Sequence, residues 1–177
     1  DGLRRDDIEY RGVLYAGLMM TPAGPKVLEF NCRFGDPECQ PLMTRLRGDL
    51  VELLWATANG SLEPLEMDFE DDVACCVVMC SEGYPGNYEK GLPISGIEEA
   101  EATAPGSITV FHAGTRIDDS GQLATSGGRV LGVTAKASTL AEARALANAA
   151  CECIRFPGAF WRKDIGCRLD QDMTAAS

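Results

Sequence analysis

The stretch Leu28-Glu29-Phe30-Asn31-Cys32-Arg33-Phe34-Gly35-Asp36-Pro37-Glu38 concentrates chemistry-bearing side chains in an alternating pattern. On an extended strand Leu28, Phe30 and Cys32 point one way. Glu29, Asn31 and Arg33 point the other, because strand side chains alternate faces. A carboxylate and an amide oxygen two residues apart on one face can share a hard cation. Mg2+ takes oxygen ligands and is usually completed by water and substrate phosphates. An arginine next on the same face can hold a carboxylate or phosphoryl oxygen through two parallel hydrogen bonds. The strand has the make-up of a metal–phosphate edge. The same alternation also describes a solvated face with one Glu–Arg pair.

Positioning such a strand requires partners, and the sequence supplies candidates. Val13 to Met20 and Lys26 to Cys32 are apolar runs around the turn Thr21-Pro22-Ala23-Gly24-Pro25, a pattern that predicts a β-hairpin. Gly2 to Glu9 reads as the end of a helix, which suggests a natural chain that begins earlier. Asp49 is placed to cap a helix from Leu50 to Asn59 that stops at Gly60, with Leu50, Leu53, Leu54 and Thr57 on its inner face. The stretch 61–72 is acidic, contains Pro64 and lacks periodicity, so it reads as a linker. Beyond it, Val73 to Cys80 is predicted as a strand buried on both faces. Short strands are expected near Ile108 to Ala113 and Arg129 to Lys136. Thr139 and Glu142 form a capping box for a last helix whose apolar face is Leu140, Ala143, Ala147, Ala150, Cys151 and Ile154.

This second region carries its own candidates. Gly127-Gly128-Arg129 ends a loop and starts a strand; two glycines can free backbone N–H groups for an anion, and the arginine adds a charge-assisted contact. A glycine turn with a solvent-facing arginine has the same spelling. Lys90 lies in a second Gly-rich loop, Glu82 to Gly91, as an aid to a phosphate or as a solvated lysine. The single histidine, His112, is expected to be a structural residue of the domain wall, and Trp55 and Trp161 to be packing residues.

Composition narrows the class. The 177 residues carry 16 Lys+Arg and 27 Asp+Glu, a net charge of -11, which argues against a sequence-independent grip on nucleic acid. The longest apolar run, Val73 to Cys80, is far short of the roughly 20 residues of a membrane span. The opening residues show no apolar signal-peptide core. Eight cysteines without a C-x-x-C pair, beside one histidine, exclude an ordinary Cys/His zinc set and point to reduced thiols in a reducing compartment.

The run LEFNCRFGDPECQ, preceded by GVLYAGLM and PKV, closely resembles the glycinamide ribonucleotide synthetase family of the ATP-grasp superfamily. SEGYPGNYEKG, VFHAGT, GGRVLGVTA and KDIGCR follow in the family's order, so the resemblance spans nearly the whole chain. It implies an α/β (α+β) architecture. Residues 1–64 would be the C-terminal part of an ATP-grasp domain, 65–72 a linker, and 73–177 a small C-terminal domain of mixed β-sheet and helix that closes over the substrate. It also implies a reaction: ATP phosphorylates glycine, and the acyl phosphate is attacked by 5-phosphoribosylamine to give glycinamide ribonucleotide, ADP and phosphate in purine synthesis.

By the same resemblance Glu29 and Asn31 hold Mg2+ or Mn2+ against the ATP phosphates, and Arg33 meets the transferring phosphoryl group. Asp36 faces glycine's ammonium, Glu38 supports that pocket, and Arg129 with Gly127, Gly128 and Lys90 takes the ribose phosphate. The family's N-terminal domain and main nucleotide-binding subdomain have no counterpart in this chain, so their residues are expected as a partner segment and the chain alone is expected to be inactive. The remaining alternatives are a non-catalytic binding module and another ATP-grasp carboxylate–amine ligase. The setting implied is the cytoplasm, or a plastid in a plant or alga.

Overall fold

The computed structural model describes residues 2–62 and 67–167. The chain divides into two compact units, one made of Asp1–Cys39 and Leu46–Phe69, the other of Gln40–Arg45 and Glu70–Ser177.

The first unit begins with the short helix α1 (Gly2–Arg5) and is built on a hairpin, β1 (Tyr15–Thr21) and β2 (Gly24–Asn31). The expected hairpin is present, and its turn is closed by Thr21 Oγ1 donating to Gly24 O at 2.7 Å. Its register changes along its length. Thr21 to Leu18 pair with Gly24 to Val27, but Gly17 pairs with Glu29 and Tyr15 with Asn31. Leu28 is the extra residue of a β-bulge, so the strand end carrying Glu29 and Asn31 shares its face with Tyr15 and Gly17.

Helix α2 (Cys39–Arg45) follows along the chain but belongs, apart from Cys39, to the second unit; Pro41 sits in its first turn, where the missing N–H would find no intrahelical partner in any case. The two-residue strand β3 (Leu46–Arg47) leads to helix α3 (Leu50–Asn59). Asp49 caps α3 by accepting from Val51 N at 2.8 Å and Glu52 N at 3.1 Å, and Gly60 ends it in the left-handed conformation at φ 70°. Leu50, Leu53 and Thr57 are half-buried and Ala56 is buried. Leu54, expected inward, is exposed, because the inner face is centred between Leu53 and Ala56. Trp55 is exposed as well, so it does not pack as expected.

The expected linker is corrected at its far end. Strand β4 (Asp68–Phe69) pairs antiparallel with β3, Leu46 against Phe69. A two-residue ladder is too short to show periodicity in the sequence.

The second unit has a three-stranded antiparallel sheet in the order β5 (Val73–Cys80), β9 (Arg129–Ala137), β6 (Ile108–His112). Between these lie α4 (Ile97–Ala102) and the small hairpin β7 (Thr115–Ile117) and β8 (Leu123–Thr125). The long helix α5 (Leu140–Cys153) closes the order. Cys75, Val77 and Met79 of β5 and Leu131, Val133 and Ala135 of β9 form a core with Ala143, Ala147, Ala150 and Cys151 of α5. Strand β5 is not buried on both faces as expected: Ala74, Cys76 and Val78 are half-buried, because helix α5 packs on one side of an antiparallel pair. The α5 cap is as expected, with Thr139 Oγ1 accepting from Glu142 N at 3.2 Å. All eight cysteines are free. No helix among the described residues is long and apolar enough to cross a membrane.

Candidate functional site

Glu29 and Asn31 stand at the end of β2, and Asn31 Nδ2 donates to Glu29 Oε1 at 2.9 Å. That bond commits the amide nitrogen and one carboxylate oxygen. Asn31 Oδ1 and Glu29 Oε2 keep their lone pairs free of protein partners among the described residues. Two hard oxygens on one face suit Mg2+ or Mn2+ with the remaining ligands drawn from phosphate and water. Among the described residues no group of three or more His, Cys, Asp or Glu side chains could hold a metal ion unaided. The donor set therefore fits a cation shared with a ligand.

Arg33 lies just past the strand, is exposed, and donates through Nη1 to Phe34 O at 2.9 Å. It forms no ion pair among the described residues. Glu38 is brought back to the hairpin by Tyr15, whose hydroxyl donates to Glu38 Oε1 at 3.2 Å. A side chain at Gly35 would overlap Glu38 Oε2 and lie 3.0 Å from Glu38 Cβ and Cδ, so the Glu38 carboxylate folds directly over that glycine. Burial pushes the Tyr15 phenol up, followed by the Glu38 and then the Glu29 carboxylate, with Arg33 acting in the opposite direction. Tyr15 thus lies within electrostatic reach of Glu29, Arg33 and Glu38 together. Asp36 is exposed beside Cys39, whose thiol is pushed up by burial and then by that carboxylate. Tyr15 is the site residue that sequence reasoning missed. A count from the turn without the bulge puts Ala16 opposite Glu29 and Leu14 opposite Asn31, which hides it.

In the second unit Gly127, Gly128 and Arg129 join a loop to β9, as expected. The supposed freedom of their N–H groups is corrected for Gly127, which donates to Gly114 O at 3.2 Å. Gly127 O accepts from Ser81 Oγ at 3.0 Å, and Gly128 O accepts from Ser81 N at 2.8 Å. Arg129 pairs across the sheet with Cys80, and its charge partly offsets the burial that pushes that thiol up. Lys90 is exposed, with its Nζ 5.7 Å from the centroid of the Tyr88 ring. His112 is exposed at the end of β6 and is hydrogen-bonded to Thr115 Oγ1 at 3.1 Å, a contact between the sheet edge and the start of β7. A cleft of about 290 Å³ is lined by Ser81, Glu82, Asn87, Tyr88, Leu92 and Pro157 among others; none of Gly127, Gly128, Arg129 or Lys90 lines it.

Comparison with known proteins covers both units. Residues 74–168 match the family model "Phosphoribosylglycinamide synthetase, C domain" and residues 1–39 match "Phosphoribosylglycinamide synthetase, ATP-grasp (A) domain". The phosphoribosylamine–glycine ligase of Rhodopirellula baltica is 55% identical over 166 residues, 92% of this chain and 37% of that protein. The chloroplastic phosphoribosylamine–glycine ligase of Arabidopsis thaliana is 52% identical over 169 residues, 94% of this chain and 32% of that protein. The crystal structure of the phosphoribosylamine–glycine ligase of Thermotoga maritima superposes with a TM-score of 0.75 at 35% identity, covering 93% of this chain and 39% of that one. The chain thus spans about a third of the length of the ligases it matches. A C-domain match over more than half of the chain and an ATP-grasp-domain match at its start point the same way: the chain belongs to the phosphoribosylglycinamide synthetase family.

Proposed function

We propose that the polypeptide carrying this chain ligates glycine to 5-phosphoribosylamine, using ATP, to form glycinamide ribonucleotide, ADP and phosphate through glycyl phosphate. The observation that carries the proposal is the Glu29–Asn31 pair at 2.9 Å, with an ion-pair-free Arg33 next along the chain, inside a segment that matches the family's ATP-grasp domain.

Phosphoryl transfer needs positioning and charge neutralisation more than covalent chemistry from the protein. Glu29 and Asn31 would hold Mg2+ or Mn2+. A divalent cation so held neutralises phosphate oxygens of ATP. Arg33 stabilises charge on the phosphoryl group in flight and on the acyl phosphate, where a preorganised cation is worth most. Asp36 and Glu38 attract the glycine ammonium and leave its carboxylate facing the phosphoryl donor. In the second unit Arg129 offers the charge for the ribose phosphate, with Lys90 on the neighbouring loop and Gly127 and Gly128 shaping the turn before it.

The proposal divides the chain into an ATP-grasp segment at 1–64 and a C-terminal domain at 73–177, with the stretch 65–72 between them carrying the paired strand β4. The two family matches, at 1–39 and 74–168, support that division. Eight free cysteines support a reducing compartment, cytoplasmic or plastid.

The test is ADP release by the full-length polypeptide as glycine, phosphoribosylamine and Mg2+ are varied. Glu29→Gln is expected to lower turnover by about 100-fold or more and to raise the Mg2+ concentration needed for half-activation. ADP release that ignores glycine overturns the ligase reading; full activity of Glu29→Gln overturns the metal assignment.

A further inference from the structure

We infer that Tyr15 is a positioning residue for the amino-acid pocket: its hydroxyl anchors Glu38, keeping that carboxylate available for an ammonium group and off the Arg33 guanidinium. The inference rests on the ligase reading above and adds a residue to it.

Three observations support it. The first is the Tyr15 hydroxyl donating to Glu38 Oε1 at 3.2 Å, across 23 positions of sequence. The second is the register: the bulge at Leu28 sets Tyr15 opposite Asn31 and so beside the metal pair. The third is the buried Gly35, where the absent side chain leaves room for the Glu38 carboxylate. Glu38 is thereby held from two sides, with Oε1 engaged and Oε2 over the glycine.

The alternative partner explains why an anchor is needed. Arg33 and Glu38 are five positions apart on one exposed loop, and both lie within electrostatic reach of Tyr15. A guanidinium and a carboxylate so placed tend to close into a bidentate pair. That pair would cancel the cation meant for the phosphoryl group and the anion meant for the ammonium. Neither side chain is in an ion pair among the described residues. A phenol is protonated at neutral pH, so the Tyr15 hydroxyl remains a donor.

The experiment uses the full-length polypeptide and three variants: Tyr15→Phe, Glu38→Gln and the double variant. Phenylalanine keeps the ring and removes only the hydroxyl, and thermal melting checks that the fold persists. Tyr15→Phe is expected to raise KM for glycine about tenfold, the loss of one charge-assisted hydrogen bond. KM for ATP and for phosphoribosylamine should stay within about twofold of wild type by the same reasoning. Because Tyr15 acts through Glu38, the double variant should be no worse than Glu38→Gln alone. An unchanged glycine KM, a parallel rise in all three KM values, or additive losses in the double variant would each overturn the inference while the ligase reading stands. A wild-type protein without glycine-dependent ADP release would overturn both.

Discussion

Gly128 lies beneath the ring of Tyr84: a Cβ at position 128 would overlap Tyr84 Cδ2 and stand 2.9 Å from Tyr88 Cε1. The two rings pack tilted at 59° with centroids 6.3 Å apart, so the aromatic loop and the Gly127-Gly128 turn are shaped against each other. Gly128→Ala is therefore expected to push the Tyr84–Tyr88 loop outward and cost about 1–3 kcal/mol, the usual penalty of overpacking. Urea denaturation reads the cost. An unchanged midpoint would mean that the rings swing aside freely and that the turn does not need glycine for packing.

Thr134 makes the opposite case. It is 1% exposed in the central strand β9, and its Oγ1 has no hydrogen-bond partner among the described residues. A buried hydroxyl without a partner costs more than an apolar group of the same shape. Thr134→Val keeps the β-branched outline and is expected to stabilise the protein by about 1 kcal/mol. A loss of stability instead would show that the hydroxyl engages a buried water in solution.

Elements with strong local signals were legible in the sequence. The hairpin, α3 with its Asp49 and Gly60 caps, and α5 with Thr139 and Glu142 all follow from capping chemistry and apolar periodicity. Helix α4 and strands β3, β4, β7 and β8 are two to six residues long, too short for a period to emerge. At the candidate site the alternation that puts Glu29 and Asn31 on one face was readable, but Arg33 lies past the strand end and not on that face, and the cross-strand neighbours were not readable. One bulged residue, Leu28, decides whether Tyr15 or Leu14 stands opposite Asn31, and no composition rule fixes where a bulge falls. The Gly127 N–H misled for a related reason: its partner, Gly114 O, lies thirteen positions away, in a turn that forms only when β6 and β9 pair.

Cysteine reactivity should separate by burial. Cys151 is fully buried, and desolvation, then the neighbouring Cys76 and Cys75 thiols, pushes its pKa up to about 12 from 9.0. Cys32 is exposed. The thiolate is the reactive form, so native protein treated with iodoacetamide at pH 8 should be modified at Cys32 first and at Cys151 only after unfolding. Linkage gives a second readout. A thiol whose folded pKa is raised contributes stability that is whole below its unfolded value of 9.0 and declines as pH rises towards 12. The urea midpoint should fall across that window, and Cys151→Ala should flatten the fall. Labelling of native Cys151 at the Cys32 rate would contradict the buried placement.

Glu142 supplies a pH dependence of the opposite sign. Its carboxylate accepts from Ser138 Oγ at 2.7 Å, and the bonds from Ser138 and then Thr139 hold its pKa below the ordinary 4.5. A carboxyl whose folded pKa is depressed contributes stability that is present above the unfolded value and is lost as pH falls through the folded one. At neutral pH the charge also sits in the first turn of α5, where the helix dipole favours an anion. Glu142→Gln should lower the thermal midpoint at pH 7 relative to wild type. The gap should close as pH drops below 4.5, because a protonated glutamate and a glutamine then present the cap with similar neutral groups. A gap that keeps its size in acid strong enough to protonate the carboxyl in both the folded and the unfolded state would mean that the residue acts by shape and not by charge, and the ionised capping box would have to be given up.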